Sequence, residues 1–449
     1  MSLFFDPSKV KRKFNKVAIL FSGGPAPAAN AVISTAAASF LRHDTQVFGI
    51  RHGYSKLEKY SQSNPLLENY DYFPLTETTL KRTRNTGGIL IGTSRANPGK
   101  AVSHPDHLRD PERTKKLRAV YDALRSIGVE ALISIGGDDT LKTANKFQLF
   151  QDYLPPDLTR IPIVHLPKTI DNDYFGIDFT FGYFTAVEVL ANEIRNLLAD
   201  AEANAAYFIV EAMGRSAGWL SYGAAIAGEA SLVLSVEDIP DDERAIQKTV
   251  VDETGAYLGR SEIRNPGERL VDHVIMNREH FVRRIVNAMC IRERHGRQFG
   301  VIVIAEGLAS LLPAEDLVGV RRDEHGHIKV SDVDLYRKVA KWVGAEYKKQ
   351  TGTEKKITPL QLGYEARCAR PHAFDVILGS QLGVGAYRAL VEEGLSGVMV
   401  SVEGQMKLNY VPFDKLVRQS DLVTEVRHIV SGSDFHLLAR FLEHYPETK

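Results

Sequence analysis

Two segments of the sequence place carboxylates close to a lysine, a threonine or a pair of glycines. One reads Pro-Lys-Thr-Ile-Asp-Asn-Asp at residues 167–173, and the other reads Gly-Gly-Asp-Asp at residues 136–139. Transfer of a phosphoryl group to a hydroxyl needs a base, cations and close placement of the reactants. Asp171 is the candidate base, Lys168 the candidate cation, and Thr169 a donor to a phosphate oxygen. A turn built on Asp and Asn side chains would explain the acids, but not the Pro-Lys-Thr before them.

The adjacent acids Asp138 and Asp139 repel one another unless a positive group lies close to both. Mg²⁺ is a suitable counter-ion, because it binds carboxylate oxygens and shares its other positions with phosphate and water. We therefore predict that Asp138 is a metal ligand. The alternative is a helix start, in which Asp139 or Thr140 caps the helix and its dipole favours the acids. Both interpretations hold if one acid binds the metal while its neighbour caps.

Three further segments join glycines to arginines or to a helix start in a way that suits bound phosphate. They are residues 21–30, which contain Gly23 and Gly24, residues 86–95, which end in Arg95, and residues 211–219, which contain Met-Gly-Arg. Glycines let backbone N–H groups approach phosphate oxygens, and arginine adds bidentate hydrogen bonds. Each segment taken singly is equally well explained as a tight turn or an exposed arginine.

Two segments later in the chain suit a phosphorylated sugar. Glu306 follows an apolar run and could accept hydrogen bonds from sugar hydroxyls. Tyr364 and Arg367, in Leu-Gly-Tyr-Glu-Ala-Arg, could bind a second phosphate. Solvated loops are the alternative for both segments. The 14 histidines are scattered along the sequence and do not indicate a zinc site.

The elements that must position these residues alternate short apolar runs with helical patterns. We predict strands at residues 17–21, 46–50, 131–135, 161–166, 206–212 and 301–305, and helices at residues 28–41, 117–127, 187–201 and 374–393. Unbroken apolar strands separated by helices indicate a mainly parallel sheet covered on both faces. Ligands bind at the carboxyl ends of strands in such α/β folds, and the polar motifs lie at those ends.

Composition excludes several classes of protein. The chain has 449 residues, of which 44% are hydrophobic and 25% charged, and its 56 basic and 56 acidic side chains cancel. Because the charges balance, the protein has no overall electrostatic field that would attract nucleic acid or a membrane surface. Two cysteines, Cys290 and Cys368, are too few for a disulfide framework. No apolar run approaches the roughly 20 residues that span a bilayer, so we expect a cytoplasmic protein.

Taken in order, these seven motifs resemble the phosphofructokinase family, with Thr-Ile-Asp-Asn-Asp and Met-Gly-Arg the most specific. The resemblance implies two Rossmann-like lobes with mainly parallel sheets. It also implies phosphorylation of fructose 6-phosphate at its 1-hydroxyl, Mg²⁺ as cofactor, and a homodimer or homotetramer. One lobe would comprise residues 1–180 and about 366–420 and hold the donor phosphate and the metal. The other, residues 181–365 and about 421–449, would hold the sugar phosphate, and insertions would lie near 55–80, 240–272 and 320–354.

The resemblance also implies a role for each motif residue. Asp171 would be the base, with Thr169 and Asp173 at the reacting end of the sugar, and Asp138 would bind Mg²⁺. The implied sugar-phosphate ligands are Met213, Gly214, Arg215, Glu306, Tyr364 and Arg367. The implied donor ligands are Gly23, Gly24, Arg95 and Gly137. Two departures concern the glycine loop, where Pro25 and Ala28 replace residues that are Asp and Gly in many relatives.

Asp139 and Lys168 discriminate the phosphoryl donor. Members that use ATP typically have glycine at the first position and often at the second, whereas members of the pyrophosphate-dependent type resemble this chain at both. The Asp139 carboxylate would repel the α-phosphate of ATP, which pyrophosphate lacks, and Lys168 would stabilise the transferred charge. The alternatives are an ATP-dependent enzyme and a non-catalytic regulatory subunit of the same family. A NAD or lipid kinase shares only the Gly-Gly-Asp element.

Overall fold

A computed structural model describes residues 10–322 and 328–443, and its elements confirm the α/β prediction. The strands are β1 (Lys16–Ser22), β2 (Gln46–Ile50), β3 (Tyr72–Leu75), β4 (Ala131–Gly136), β5 (Ile163–Pro167), β6 (Tyr207–Ala212), β7 (Leu232–Leu234), β8 (Arg244–Val251), β9 (Arg269–Met276), β10 (Gly300–Ala305), β11 (Ile357–Leu362), β12 (Val398–Glu403) and β13 (Lys407–Pro412). The helices are α1 (Ala29–Leu41), α2 (Glu77–Leu80), α3 (Pro111–Ser126), α4 (Asp138–Phe150), α5 (Tyr183–Asn204), α6 (Trp219–Gly228), α7 (Arg278–Arg294), α8 (Leu335–Thr351), α9 (Ala373–Tyr387), α10 (Phe413–Leu416) and α11 (Asp434–Glu443).

The described chain divides into two compact units, each built from two stretches of sequence. The first unit contains the described residues up to Ala186 together with Ala366–Val426. The second contains Val187–Glu365 and the described residues from Arg427 onward. The boundary between Ala186 and Val187 falls inside α5, so one helix belongs to both units.

The first unit is built on a seven-stranded sheet with the order β13-β12-β5-β4-β1-β2-β3. Its five central strands are parallel, and β3 and β13 pair antiparallel at the two edges. The strand register pairs Ser22 with Gly136 and Gly136 with Pro167. The segments that follow these three residues therefore leave the sheet side by side, at the carboxyl ends of the parallel strands. These segments are the glycine loop and the two acid-rich segments.

Close packing of α1 against α9 covers one face of this sheet. Gly383 on α9 makes the approach possible, because a Cβ there would lie 2.8 Å from both Ala36 N and Val32 O. Ala28 precedes α1 in the left-handed conformation, with φ of 65°. An L-residue pays about 1–2 kcal/mol for that conformation, so the alanine that replaces glycine here is accommodated under strain.

The second unit is built on a four-stranded parallel sheet with the order β11-β6-β10-β7. Ala212 pairs with both Ala305 and Leu362, so β6, β10 and β11 end level with one another. A hydrophobic core joins this sheet to α7 and α8 and includes Ile302 and Val339, both fully buried. The polar residues that follow the three strands are thereby brought to one edge of the sheet.

All three predicted insertions contain regular structure, and the range 55–80 contains β3 and α2. The range 320–354 contains α8, whose buried side chains are Leu335, Val339, Ala340, Val343 and Tyr347. Five of its residues, 323–327, lie outside the described part of the chain. The range 240–272 contains β8 and the start of β9, which form an antiparallel hairpin. Charged residues on the exposed faces of these elements make the apolar pattern difficult to recognise in the sequence.

Two observations bear on the class of protein. Among the described residues, no helix combines the length and the apolar character that crossing a membrane requires. Cys290 and Cys368 both carry free thiols.

Candidate functional site

Hydrogen bonds join the glycine turn after β1 to the segment that contains Arg95. Gly23, with φ of 92°, donates its N–H to Ser94 O at 2.8 Å. Thr93 Oγ1 donates to Gly23 O at 2.7 Å, and Ser22 Oγ donates to Ser94 O at 3.0 Å. The structure therefore brings two of the predicted phosphate segments together. Arg95 itself is exposed beside this turn.

Asn30 fixes the other end of the same segment, a role that the sequence analysis missed. Its buried amide Nδ2 donates to Thr86 Oγ1 at 2.9 Å and to Gly87 O at 3.2 Å, and its Oδ1 accepts from Leu90 N at 2.7 Å. Gly87 also packs against the main chain, because a Cβ there would lie 2.3 Å from Cys368 O. Through these contacts, the part of the first unit before Ala186 packs against the part that contains Arg367.

The side chain of Lys168 is buried against two glycine turns. Its Nζ would lie 3.6 Å from a Cβ on Gly23 and 3.8 Å from a Cβ on Gly137. Burial lowers the pKa of Lys168 to about 8, although the neighbouring Asp171 carboxylate acts in the opposite direction. Arg367 adds to the lowering, which indicates that its guanidinium is close. A Cβ on either glycine would make an ordinary van der Waals contact with the ammonium group.

The loop that carries Asp171 and Asp173 turns on Asn172, which has φ of 55° and a fully buried side chain. The Asn172 Oδ1 accepts a hydrogen bond from Thr180 N at 2.9 Å. Thr169 Oγ1 accepts from Asp171 N at 3.0 Å, and Thr169 O accepts from Thr180 Oγ1 at 2.7 Å. The asparagine is thus a structural residue, and the two acids on either side of it remain partly exposed.

A buried pair, His165 and Tyr174, supports the same loop from inside the unit. The Tyr174 hydroxyl lies 3.0 Å from His165 Nε2 and donates to Gly136 O at 3.1 Å. Burial lowers the pKa of His165 to about 3, so the imidazole stays neutral at physiological pH. This pair joins the ends of β4 and β5 and fixes the spacing of the two acid-rich segments.

The acids Asp138 and Asp139 occupy the first turn of α4. Gly137 is the N-cap residue and makes no side-chain cap, so neither Asp139 nor Thr140 caps the helix as we proposed. Lys142 Nζ lies 2.6 Å from Asp139 Oδ1 and 3.5 Å from Asp138 Oδ2. Burial by itself would lower the pKa of Lys142, but the two carboxylates outweigh it and raise the pKa.

The sequence analysis missed Lys142 as the positive group that offsets this pair of acids. Its distance from the acids, three and four residues along a predicted helix, is the spacing at which helical side chains meet. That spacing is a readable signal. It can be read from the sequence when a helix is extended beyond the start considered at Asp139 or Thr140.

The Asp138 and Asp173 side chains line one small cavity of about 20 Å³ in the first unit. Among the described residues there is no group of three or more His, Cys, Asp or Glu side chains that could hold a metal alone. Mg²⁺ is commonly held by one or two carboxylates while phosphate and water complete its shell. The two acids therefore fit a magnesium ion that is bound together with a phosphorylated ligand.

In the second unit, Gly214, Arg215 and Glu306 come together at the ends of β6 and β10. Gly214 N donates to Glu306 Oε1 at 3.2 Å, and Glu306 is buried. Gly214 has φ of 125°, in the region that favours glycine. Gly307 is also required, because a Cβ there would lie 2.5 Å from Arg215 O. The two loops that carry the acid and the arginine therefore pack backbone to backbone.

Met213 packs over the end of β11 at Gly363. A Cβ on Gly363, whose φ is 142°, would lie 2.1 Å from Met213 Cγ. Tyr364 follows with 59% of its surface exposed. Arg367 belongs to the first unit, where its Cζ would lie 4.0 Å from a Cβ on Gly24. The structure therefore groups Met213 and Tyr364 with the second unit, and Arg367 with the glycine turn of the first.

Glu211 lies two residues before Met213 on β6 and is almost completely buried. Burial raises its pKa to about 7. Its carboxylate accepts hydrogen bonds from Tyr336 N at 3.0 Å and Gln361 Nε2 at 3.4 Å. Glu211 therefore holds the first turn of α8 and β11 against β6, which makes it a structural acid beside the candidate site.

Comparisons with known proteins identify the family of this chain. A family model described as phosphofructokinase matches residues 16–263. The chain is 31% identical over 433 residues to the pyrophosphate–fructose 6-phosphate 1-phosphotransferase of Naegleria fowleri, covering 94% of this chain and 87% of that protein. It is 26% identical over 419 residues to ATP-dependent 6-phosphofructokinase 3 of Bacteroides thetaiotaomicron, covering 92% and 96%. The solved pyrophosphate-dependent phosphofructokinase of Marinobacter aquaeolei matches with a TM-score of 0.60 and 17% identity, covering 96% and 92%.

Proposed function

This chain belongs to the phosphofructokinase family, and we propose that it transfers a phosphoryl group reversibly from pyrophosphate to the 1-hydroxyl of fructose 6-phosphate. The products are fructose 1,6-bisphosphate and phosphate. The observation that carries the proposal is the position of Lys168, whose buried ammonium group lies against the glycine turns after β1 and β4 with Asp171 beside it. A base and a cation next to a phosphate cradle are the groups that this reaction needs.

In the forward reaction, the oxygen of the 1-hydroxyl attacks one phosphorus atom of pyrophosphate, and the bridging P–O bond breaks. Asp171 accepts the hydroxyl proton, and phosphate leaves with the bridging oxygen. Thr169 and Asp173 orient the reacting end of the sugar. The hydrogen bonds of Asn172 support this assignment, since they hold the loop in one conformation.

Lys168 acts on the charge that the phosphates develop during transfer. An ammonium group in a water-poor site stabilises such charge more strongly than it would in bulk water. Its Nζ is held between backbone segments that contain Gly23 and Gly137. We assign these glycines, with Gly24 and Arg95, to binding of the donor phosphate.

Asp138 and Asp173 provide the oxygen ligands that suit Mg²⁺ in this site. The bound ion would neutralise negative charge on the pyrophosphate oxygens. Lys142, which lies 3.5 Å from Asp138, adds positive charge on the same side of α4.

We assign recognition of the sugar phosphate to Met213, Gly214, Arg215, Glu306, Tyr364 and Arg367. Support comes from the hydrogen bond between Gly214 N and Glu306, which orients the buried acid at the strand ends. Arg367 lies beside Gly24, so its guanidinium could also serve the donor phosphate. We also propose that the protein forms a homodimer or homotetramer in the cytoplasm.

Phosphate release from fructose 6-phosphate, measured with pyrophosphate and with ATP at equal concentrations, tests the proposal. We expect turnover with pyrophosphate and little with ATP, together with reverse transfer from fructose 1,6-bisphosphate when phosphate is added. Faster turnover with ATP would reject the donor assignment. Absence of turnover with both would favour a non-catalytic subunit.

An ATP-dependent enzyme is the second candidate, because one observation favours it. The Asp139 carboxylate, which would repel the α-phosphate of ATP, is paired with Lys142 at 2.6 Å. This ion pair reduces the repulsion and leaves mainly the bulk of the side chain to exclude the nucleotide.

A further inference from the structure

The segment of residues 94–102, hereafter the arginine loop, carries Arg95 near its start and then packs on helix α4. Two hydrogen bonds fold this loop back on itself. Gly99 N donates to Asn97 Oδ1 at 3.1 Å, and Val102 N donates to Gly99 O at 3.0 Å. Because these bonds give the loop a fixed shape around Asn97, whatever holds Asn97 in place also sets the position of Arg95, two residues earlier.

The side chain of Asn97 joins the arginine loop to α4. Its Oδ1 accepts a hydrogen bond from Thr143 Oγ1 at 3.0 Å, in addition to the bond from Gly99 N. The Thr143 hydroxyl, which is buried, also donates to Asp139 O at 2.9 Å, so its hydrogen is shared between the two oxygens. A hydrogen bond in such a water-poor place is expensive to lose, and we therefore expect this contact to fix the loop firmly.

One turn further along α4, Lys146 provides a second contact with the arginine loop. Its Nζ donates to Gly99 O at 3.1 Å, and its side chain is buried. The aliphatic part of Lys146 also packs on Gly99, because a Cβ on that glycine would lie 2.9 Å from Lys146 Cδ. A neutral amine still has N–H groups that donate to a carbonyl oxygen. This contact therefore persists when Lys146 loses its proton, and the loop stays attached at two successive turns of α4.

The backbone of Arg95 therefore lies between two anchored neighbours. On one side, Ser94 O accepts the hydrogen bond from Gly23 N in the glycine turn. On the other side, Asn97 is held by α4. The same helix begins at Asp138, the proposed metal ligand. A helix is a rigid element, so α4 sets the positions of Asp138 and of the arginine loop together.

We propose that Asn97 is a positioning residue for the donor phosphate, because it fixes the arginine loop on α4 through Thr143 and so places the Arg95 guanidinium. This inference rests on the proposed function, which assigns Arg95 to the donor and gives Asn97 no role. A guanidinium binds phosphate through parallel N–H···O bonds whose geometry a small displacement spoils. A side chain that is placed in advance also loses less entropy on binding. The effect of Asn97 on donor binding should therefore require Arg95.

A double-mutant cycle tests this proposal, with binding of imidodiphosphate in the presence of Mg²⁺ measured by isothermal titration calorimetry. The cycle compares Asn97→Ala, Arg95→Met and the double variant with wild type. Thr143→Val removes the hydroxyl that holds Asn97 and keeps the shape of the side chain. Gln151→Ala is the matched control, because Gln151 also makes two side-chain hydrogen bonds in this unit, but with Ile161 rather than with the arginine loop. Circular dichroism checks that each variant is folded.

We expect Arg95→Met to weaken binding of imidodiphosphate about tenfold, and Asn97→Ala and Thr143→Val to weaken it about fivefold each. The double variant should bind no more weakly than Arg95→Met alone, since the two residues act as one unit. Gln151→Ala should bind like wild type.

Losses that add in the double variant would overturn the inference, because Asn97 would then act without Arg95. An equal loss in Gln151→Ala, unchanged binding by Arg95→Met, or no binding by wild type would overturn it as well. Turnover with pyrophosphate and with ATP is measured separately on the same proteins. A wild-type protein that binds imidodiphosphate with the expected cycle but turns over faster with ATP would reject the proposed donor and leave the role of Asn97 intact.

Discussion

The ammonium of Lys142 and the carboxylate of Asp139 form an ion pair of 2.6 Å in the first turn of α4. Asp138 lies 3.5 Å from the same ammonium group. The pair bears on our proposal that Asp139 selects the donor. A paired carboxylate repels phosphate less than a lone one, but it still occupies space, and it engages the Lys142 ammonium. Under this proposal, donor choice depends on the pair rather than on Asp139 alone.

The first prediction concerns this pair. Asp139→Gly should raise the ratio of ATP-driven to pyrophosphate-driven turnover about tenfold, because it removes the bulk and frees the Lys142 ammonium for a longer phosphate chain. Asp139→Asn keeps the shape but removes the charge, and should give a smaller change. Initial rates with both donors at saturating fructose 6-phosphate provide the measurement. If the asparagine variant shifts the ratio as far as the glycine variant, charge and not bulk excludes ATP.

The second prediction concerns Lys168. Its pKa of about 8 means that the ammonium form predominates below pH 8 and is lost above it. If the ammonium stabilises the transferred group, kcat/KM should fall as pH rises above about 8. Lys168→Met should reduce kcat by about 100- to 1,000-fold, similar to the loss of one preorganised donor, and the remaining activity should lack this alkaline fall.

Lys146 provides the control for Lys168. Burial also lowers the pKa of Lys146 to about 8, but its Nζ donates to Gly99 O at 3.1 Å and lies outside the glycine turns. Lys146→Met should therefore keep the alkaline fall in kcat/KM. If Lys146→Met loses the alkaline fall in kcat/KM and Lys168→Met retains it, the titrating group is Lys146 and the prediction is wrong.

Much of the first unit could be predicted because its sequence signals are local. Unbroken apolar runs such as residues 17–21 and 131–135 form central parallel strands, and the glycines after them mark the turns at the strand ends. Parallel register then places the motifs side by side without further information. For this reason, motif residues that lie far apart in sequence, such as Gly23 and Lys168, meet at one edge.

Other features depend on contacts that a single sequence does not display. Arg244 and Arg322, which line one cavity of the second unit, lie in ranges that we predicted as insertions, and only the folded unit brings them together. The buried contacts of Asn30 and Glu211 also depend on distant partners, so neither residue type reveals its role by spacing. Helix α8 was missed because its exposed face is highly charged and dilutes the apolar pattern.

The third prediction concerns Glu211 and stability. Its pKa is raised from 4.5 to about 7 in the folded protein, so the folded state holds a proton that the unfolded state releases between these values. The contribution of Glu211 to stability is therefore complete below about pH 4.5 and is lost as pH rises through 7. Glu211→Gln should match wild type near pH 4 and exceed it by about 3 kcal/mol at pH 8, as measured by urea unfolding.

Glu202→Gln, which changes an exposed glutamate of the same unit, is the control for this experiment. Its difference from wild type should not vary with pH. Because Glu443, whose pKa is also about 7, and His165 are present in every protein compared, their effects cancel in the differences. A Glu211→Gln variant that is uniformly destabilised at all pH values would show that the acid is ionised in the fold.

The last prediction separates backbone strain from loss of site geometry in the second unit. Gly363 and Gly352 both have positive φ, of 142° and 75°, but a Cβ on Gly363 would meet Met213 Cγ at 2.1 Å, whereas a Cβ on Gly352 has no neighbour within 4 Å. Both alanine variants should lose about 1 kcal/mol or more of unfolding free energy, because L-residues are strained there. Only Gly363→Ala should displace Met213, and should raise the KM for fructose 6-phosphate about tenfold. An equal rise in both variants would mean that KM follows stability, and would remove Met213 from the sugar-phosphate assignment.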